Sequence, residues 1–173
     1  MVSRSASPVG LGFGDPTATL LVEENSNYTP DCLCNSLPAG WDGDYWAGQK
    51  ISRPAGADTR DFGFTLPSVN TIKAGSLQLW MIGYTNVRTS PDHRVAVTLN
   101  THSTLSSGVE WDGKNRKDIT LPVPTGGYVG GANTLTLSLP GITGVSVEGF
   151  WLDAFEVEYV IGADSMGNSA IFG

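Results

Sequence analysis

Two sets of residues in this chain carry groups that could do chemistry. Asp92-His93 sets a carboxylate beside an imidazole, the pair from which a hydrolytic triad draws its base and its orienting acid. Neighbouring residues on a strand point to opposite faces, however, so the two cannot orient one another there, and the pair reads as structural, at the start of a strand. The second set is Cys32 and Cys34, with His93 or His102 as the available base. A disulfide across one intervening residue would close a small, strained ring. Free thiols, a metal-bound pair or a link to another chain are the readings left open. Nothing in the local sequence favours either thiol as a nucleophile, and the expectation is a domain that binds or assembles and is not an enzyme.

Binding chemistry has better candidates. Sugar recognition needs a flat aromatic to stack on the C–H face of a ring and polar groups nearby to meet its hydroxyls. Trp41, Tyr45 and Trp46, interleaved with Asp42 and Asp44, supply both, and Trp111 with Asp112 and Asn115 forms a second cluster. Trp46 sits at strand spacing and Trp80 and Trp151 lie within strands, so these three read as core anchors. The candidate ligand contacts are therefore Trp41, Asp42, Tyr45 and Trp111, and the expected partner is a polysaccharide or other glycan. Asp42-Gly43-Asp44 also has the look of a cation loop, but it lacks the full alternating ligand pattern of a calcium site and reads as an ordinary turn. Asn27-Tyr28-Thr29 matches the short acceptor pattern for N-glycosylation, a pattern too short to carry weight alone.

These residues must be positioned by strands. Apolar residues recur at period two in short runs bounded by Gly, Pro, Asn and Asp. Leu135, Leu137 and Leu139 oppose Thr134, Thr136 and Ser138; Val95, Val97 and Leu99 oppose Arg94, Ala96 and Thr98. In Ser76–Tyr84 both faces are apolar, which marks a central strand. Further strands are expected at Thr17–Glu23, Asp44–Ile51, Arg60–Leu66, Val109–Trp111, Lys117–Val123 and Phe150–Val160, with a tight hairpin turn at Asp112-Gly113. No segment shows a helical stripe. The predicted fold is all-β, a two-sheet antiparallel β-sandwich over 16–161, with tails or linkers at 1–15 and 162–173. Residues 24–44 show neither period and read as a long surface loop, a common place for binding residues. The glycines flanking Tyr128-Val129 read as a flexible connection, since no strand-to-helix context makes them a phosphate cradle.

Composition narrows the partners. Ten Lys and Arg against seventeen Asp and Glu leave a net charge of −7, which repels nucleic-acid phosphates and anionic membrane surfaces. With 173 residues, 40% of them apolar, a core can form without metal or disulfide staples. Charged residues are only 16%, and 22 Gly and 10 Pro suit a turn-rich extracellular β-domain, so the expected location is secreted or cell-surface. No apolar run is long enough to insert in a membrane. The first residues lack the apolar middle of a signal peptide, which suggests an excised module.

Several segments together resemble a known pattern. They are Pro91-Asp92-His93-Arg94-Val95-Ala96-Val97-Thr98-Leu99-Asn100, Trp111-Asp112-Gly113-Lys114, Gly131-Ala132-Asn133-Thr134-Leu135-Thr136-Leu137 and Trp151-Leu152-Asp153-Ala154-Phe155-Glu156-Val157-Glu158-Tyr159. The chain resembles, from about Glu24 to Ile161, the β-sandwich accessory domain found beside gingipain-type cysteine peptidase domains in large secreted bacterial proteins. The resemblance implies a non-catalytic jelly roll of the galactose-binding-like kind attached to an exported protein; the alternative reading is a structural spacer or self-assembly domain at the cell surface, packing on neighbouring domains or on copies of itself. The family often has Gly after the Asn that ends the Asp-His-Arg-Val strand; here Thr101 follows Asn100, so another turn is expected. A more distant likeness is to family 6 and family 35 carbohydrate-binding modules, through Leu21-Val22-Glu23-Glu24 and Leu152-Asp153-Ala154-Phe155. In those modules such carboxylates hold a structural calcium, which makes Glu23, Glu24 and Asp153 the implied ligands. Strand parity puts Asp153 with Phe155, Val157 and Tyr159, turning a carboxylate toward the core, where it needs a cation or hydrogen-bond donors unless a bulge intervenes.

Overall fold

The alternating runs form strands where expected, and the paired faces close on each other. The computed structural model describes residues 2–5 (backbone only), 15–28, 46–54, 56, 58–101 and 103–162. Trp41, Asp42, Tyr45, both cysteines and His102 lie outside the described residues. The strands are β1 (Val2–Ser5), β2 (Thr17–Glu23), β3 (Asn27–Tyr28), β4 (Trp46–Ala47), β5 (Lys50–Arg53), β6 (Thr59–Leu66), β7 (Gly75–Gly83), β8 (His93–Leu99), β9 (Ser103–Trp111), β10 (Arg116–Val123), β11 (Gly131–Ser138) and β12 (Glu148–Val160).

One sheet runs β1-β2-β12-β7-β10, with β5 also on β12; the other runs β6-β11-β8-β9, and β3-β4 make a small ribbon. Setting aside β1, β5 and the ribbon, the two four-stranded orders are those of a jelly roll, with strands from the two halves of the chain alternating across each sheet. All the pairings are antiparallel. The core lies between the sheets, where Leu77, Leu79 and Met81 of β7 meet Val95, Val97 and Leu99 of β8, all fully buried. Phe155 packs edge-on against Phe62 and Phe64, tying β12 to β6 across the interior. Strand β7 is central, flanked by β12 and β10. Its second apolar face is covered as well, since Ile82 is buried and Tyr84 lies edge-on against Trp151.

Three details differ from the sequence reading. The N-terminal stretch read as a tail contains β1, which pairs with the whole end of β2 from Leu20 to Glu23. The strand expected over Asp44–Ile51 is two short strands, broken at Gly48-Gln49. The turn after Asn100 is the left-handed kind that glycine favours, with Asn100 at φ 52° and Thr101 at φ 59°, so threonine occupies a conformation that a β-branched residue rarely takes. Asn100 anchors it: its Nδ2 donates to the Gly127 carbonyl and to Asn133 Oδ1, and its Oδ1 accepts from Thr134 N.

Candidate functional site

The strand that positions the first candidate residues is β12. Its register on β7 passes from Leu152 opposite Met81 to Ala154 opposite Trp80, so Asp153 is an extra residue, a β-bulge. The insertion reverses strand parity. Phe150 and Leu152 before it and Phe155, Val157 and Tyr159 after it therefore all face the core, while Asp153 is left half-buried at the rim.

Beside the bulge, Gly48 N donates to Leu152 O and Leu152 N donates to Gln49 O, both at 3.0 Å, lacing the β4–β5 connection onto β12. A side chain at 48 would put its Cβ 2.7 Å from Leu152 O and 3.0 Å from Glu24 O, which is why only glycine fits there. Glu24 continues the inward parity of Leu20 and Val22, and its Oε1 accepts from Gln49 Nε2 at 2.9 Å. Glu24, Gln49 and Asp153 line one cavity of about 10 Å³, room for a single water-sized sphere. Glu23 has the opposite parity and accepts from Asn25 Nδ2 on the exposed side. The structure thus unites Glu24 with Asp153 and leaves Glu23 apart. Among the described residues no group of three or more His, Cys, Asp or Glu is placed to hold a metal.

Just outside this cavity a groove of about 380 Å³ opens between the sheets, lined by Glu24, Gln49, Thr59, Arg60, Asp61 and Gly63. Arg60 shares the inward parity of Phe62 and donates from Nε to Lys50 O at 3.0 Å. Asp61 points the other way and accepts from Thr136 Oγ1. The two segments that bring Glu24 and Gln49 to the groove continue into the β3-β4 ribbon, which carries Tyr28 and Trp46. These rings are 57% and 44% exposed and lie 5.2 Å apart at a 54° tilt. The sequence reading placed Trp46 in the core by its spacing. The spacing was misleading because a two-residue ribbon packs one face only, and it is Ala47 that is buried.

A second constellation lies at the start of β12 and β8. Asp92, His93 and Glu148 are each fully buried. Asp92 precedes β8, in the turn, so strand parity does not separate it from His93: its Oδ1 lies 3.4 Å from His93 Nε2. Its two oxygens accept from Gly113 N at 2.6 Å and Val87 N at 2.8 Å. His93 Nε2 faces the carbonyls of Thr85 and Gly113, which can only accept, so Nε2 carries the proton. Burial holds its pKa below the usual histidine value, the nearby Asp92 charge opposing this only in part. Glu148 accepts from Arg94 N and faces Arg53 Nε at 3.9 Å; burial raises its pKa above the usual carboxylate value despite these partners. Trp111 stacks on His93, with centroids 4.7 Å apart and planes 19° apart, and meets Phe150 edge-on. At 8% exposure Trp111 is a core residue and offers no ring face to a ligand, which corrects its reading as a binding residue.

Sequence reasoning missed Tyr28, Gln49, Arg60 and Glu148. Tyr28 had a detectable signal, an aromatic in a polar stretch without periodicity. Glu148 had none, because its burial depends on partners about 50 and 90 residues away in sequence, Arg94 and Arg53.

No family model and no curated protein matches the sequence. Solved structures do. Dimeric latent PorU from Porphyromonas gingivalis matches with a TM-score of 0.61 at 14% identity, over 84% of this chain and 13% of that one. This likeness shows the fold, an all-β sandwich, and the chain spans only a small part of that protein's length. A family 35 carbohydrate-binding module from an environmental isolate matches with a TM-score of 0.43 at 14% identity, over 92% of each chain. A family 36 module in complex with calcium and xylotriose matches with a TM-score of 0.42 at 11% identity, over 91% of this chain and 99% of that one.

Proposed function

We propose that this domain is a non-catalytic, glycan-binding accessory module of a secreted or cell-surface bacterial protein. The observation that carries the reading is the solvent-facing Tyr28–Trp46 pair beside the Glu24–Gln49–Arg60 groove. Adjacent exposed aromatics form a contiguous apolar patch of the kind that marks a binding surface. One ring face can stack on a sugar, while Gln49, Glu24 and Arg60 supply donors and acceptors for its hydroxyls. Trp41, Asp42 and Tyr45 belong to the segment joining Tyr28 to Trp46, outside the described residues. Asp92 and His93 do no catalysis in this reading, since both are sealed from substrate, with both Asp92 oxygens and His93 Nε2 bonded to the backbone.

Structural calcium is part of the proposal. Glu24 and Asp153 are the carboxylates that would hold it, with further oxygens from neighbouring backbone or water, since the ion takes roughly six to eight. Bound there, it would tie the end of β2 to the β12 bulge.

The experiment is affinity electrophoresis and calorimetry of the purified domain against a panel of soluble neutral and charged polysaccharides. Retention of at least one polymer is expected, weakened about tenfold or more by Trp46→Ala or Tyr28→Ala, as loss of a stacked ring would give. Absence of binding across the panel, or binding indifferent to both substitutions, would sink the reading.

A further inference from the structure

Several basic side chains of this domain already have a partner. Arg53 faces Glu148, Lys73 faces Asp15, Arg94 faces Glu110 and Arg116 faces Asp118, while the Lys50 ammonium lies 3.6 Å over the Tyr84 ring. Arg60 differs. It lines the groove together with the carboxylates of Glu24 and Asp61, yet it makes an ion pair with neither.

The reason is positional. Glu24 is held by Gln49 Nε2 at 2.9 Å, and Asp61, on the opposite face of β6, accepts from Thr136 Oγ1 at 2.6 Å. Arg60 is fixed by its own Nε, which donates across the rim to Lys50 O of the facing sheet at 3.0 Å. Among the described residues the guanidinium makes no other hydrogen bond. Its two terminal nitrogens are thus left as an oriented fork beside about 380 Å³ of open groove.

A planar guanidinium fork matches a planar carboxylate through two parallel charged hydrogen bonds, a geometry that a single sugar hydroxyl does not offer. We infer that Arg60 selects glycans carrying uronic acid residues, its terminal nitrogens taking the sugar carboxylate. The inference rests on the glycan reading above and names the substrate class of that site. Charge at longer range opposes it, since Glu24 and Asp61 line the same groove and the chain carries −7. At about 0.15 M salt charges more than about 8 Å away are largely screened, whereas the fork meets the carboxylate in contact, so the contact decides the sign. The opposing charges limit the size, and the expected preference is about fivefold, the upper end for a partly exposed ion pair.

The test pairs glucuronoxylan, polygalacturonate and alginate with their carboxyl-reduced counterparts, in affinity electrophoresis and calorimetry of the whole chain at about 0.15 M salt. At least one acidic polymer should bind about fivefold tighter than its reduced form. Arg60→Gln should bring that ratio to about one, and Arg60→Lys should restore only part of it, being a point charge without the fork. Trp46→Ala should weaken both members of a pair and keep their ratio. The ratio is the deciding quantity, because a residue that merely braces the two sheets would move both affinities together. A wild-type ratio of one or below in every pair, or a ratio that Arg60→Gln leaves unchanged, overturns the inference; binding that still depends on Trp46 in that case leaves the glycan reading standing. If no polymer of either kind binds, both fall.

Discussion

Asp92→Ala should be the most informative single substitution for the buried constellation. The carboxylate has no exposure, and it accepts from Gly113 N at 2.6 Å and Val87 N at 2.8 Å, which pins the β9–β10 turn and the β7–β8 loop to one point. Alanine leaves both donors buried and unpaired. Hydrogen bonds to a charged group contribute about 1.5–3 kcal/mol each, so the gross loss is about 3–6 kcal/mol. Removing the buried charge returns part of its desolvation penalty, which brings the expected net loss to about 3 kcal/mol. With a urea slope of about 1–3 kcal/mol per molar, the unfolding midpoint should fall by about 1–3 M at unchanged slope. Asp92→Asn should recover little, because its amide NH2 must face one of the two N–H donors. A midpoint shift under about 0.3 M for the alanine variant would refute the reasoning, since it would mean that both donors find water or that the turn relaxes without penalty.

The neighbouring groups predict opposed pH dependences. His93 is buried neutral with its pKa lowered, so its contribution is complete above the unfolded value of 6.5 and is lost as pH falls below it. Wild-type stability should therefore decline in mild acid, and His93→Gln should flatten that decline in urea titrations run across this range. Glu148 has its pKa raised, so its contribution is complete below the unfolded value of 4.5 and is lost as pH rises above it. Glu148→Gln, which keeps an acceptor for Arg94 N, should remove that loss and be no less stable than wild type at neutral pH. For the calcium proposal, thermal unfolding in calcium against EDTA should differ in wild type and converge in Asp153→Asn; identical curves for wild type would count against the ion.

How far the sequence could be read follows from the range of the interactions involved. The sandwich was legible because side-chain alternation is local: Val95, Val97 and Leu99, or Leu135 and Leu137, declare their buried face within a single strand, and all are fully buried. The bulge at Asp153 was foreseen only as an alternative, since an inserted residue leaves no local mark apart from a carboxylate at apolar parity. Trp46 and Trp111 exchanged roles for a similar reason. Trp111 ends a strand beside an Asp-Gly turn, which reads as surface, yet it is enclosed by His93 and Phe150 from β8 and β12. Trp46 has strand spacing, yet its strand is a ribbon outside both sheets. Pairing with distant chain decides both cases, and periodicity within a window does not report it.

Strand β12 explains why the buried constellation and the open groove coexist in one small domain. It bonds β5 along Glu148–Trp151, β2 along Ala154–Val160 and β7 along most of its length, so it is fixed on both sides. Its first residue, Glu148, spends its carboxylate on Arg94 N and Arg53, closing that end with polar groups turned inward. One extra residue at 153 then shifts the parity, so β5 can end and β2 begin along the same edge without exposing Phe155 or Val157. The gap between those two partners is where Gly48, Gln49 and Glu24 converge on the bulge, and there the rim opens. Pairing Asp153 regularly, with no bulge, would turn Phe155, Val157 and Tyr159 out of the core, so the cavity beside the bulge exists because the core requires the bulge. A ligand at this rim would thus be held by residues whose positions are already set by packing, which is the condition for binding without reorganising the fold.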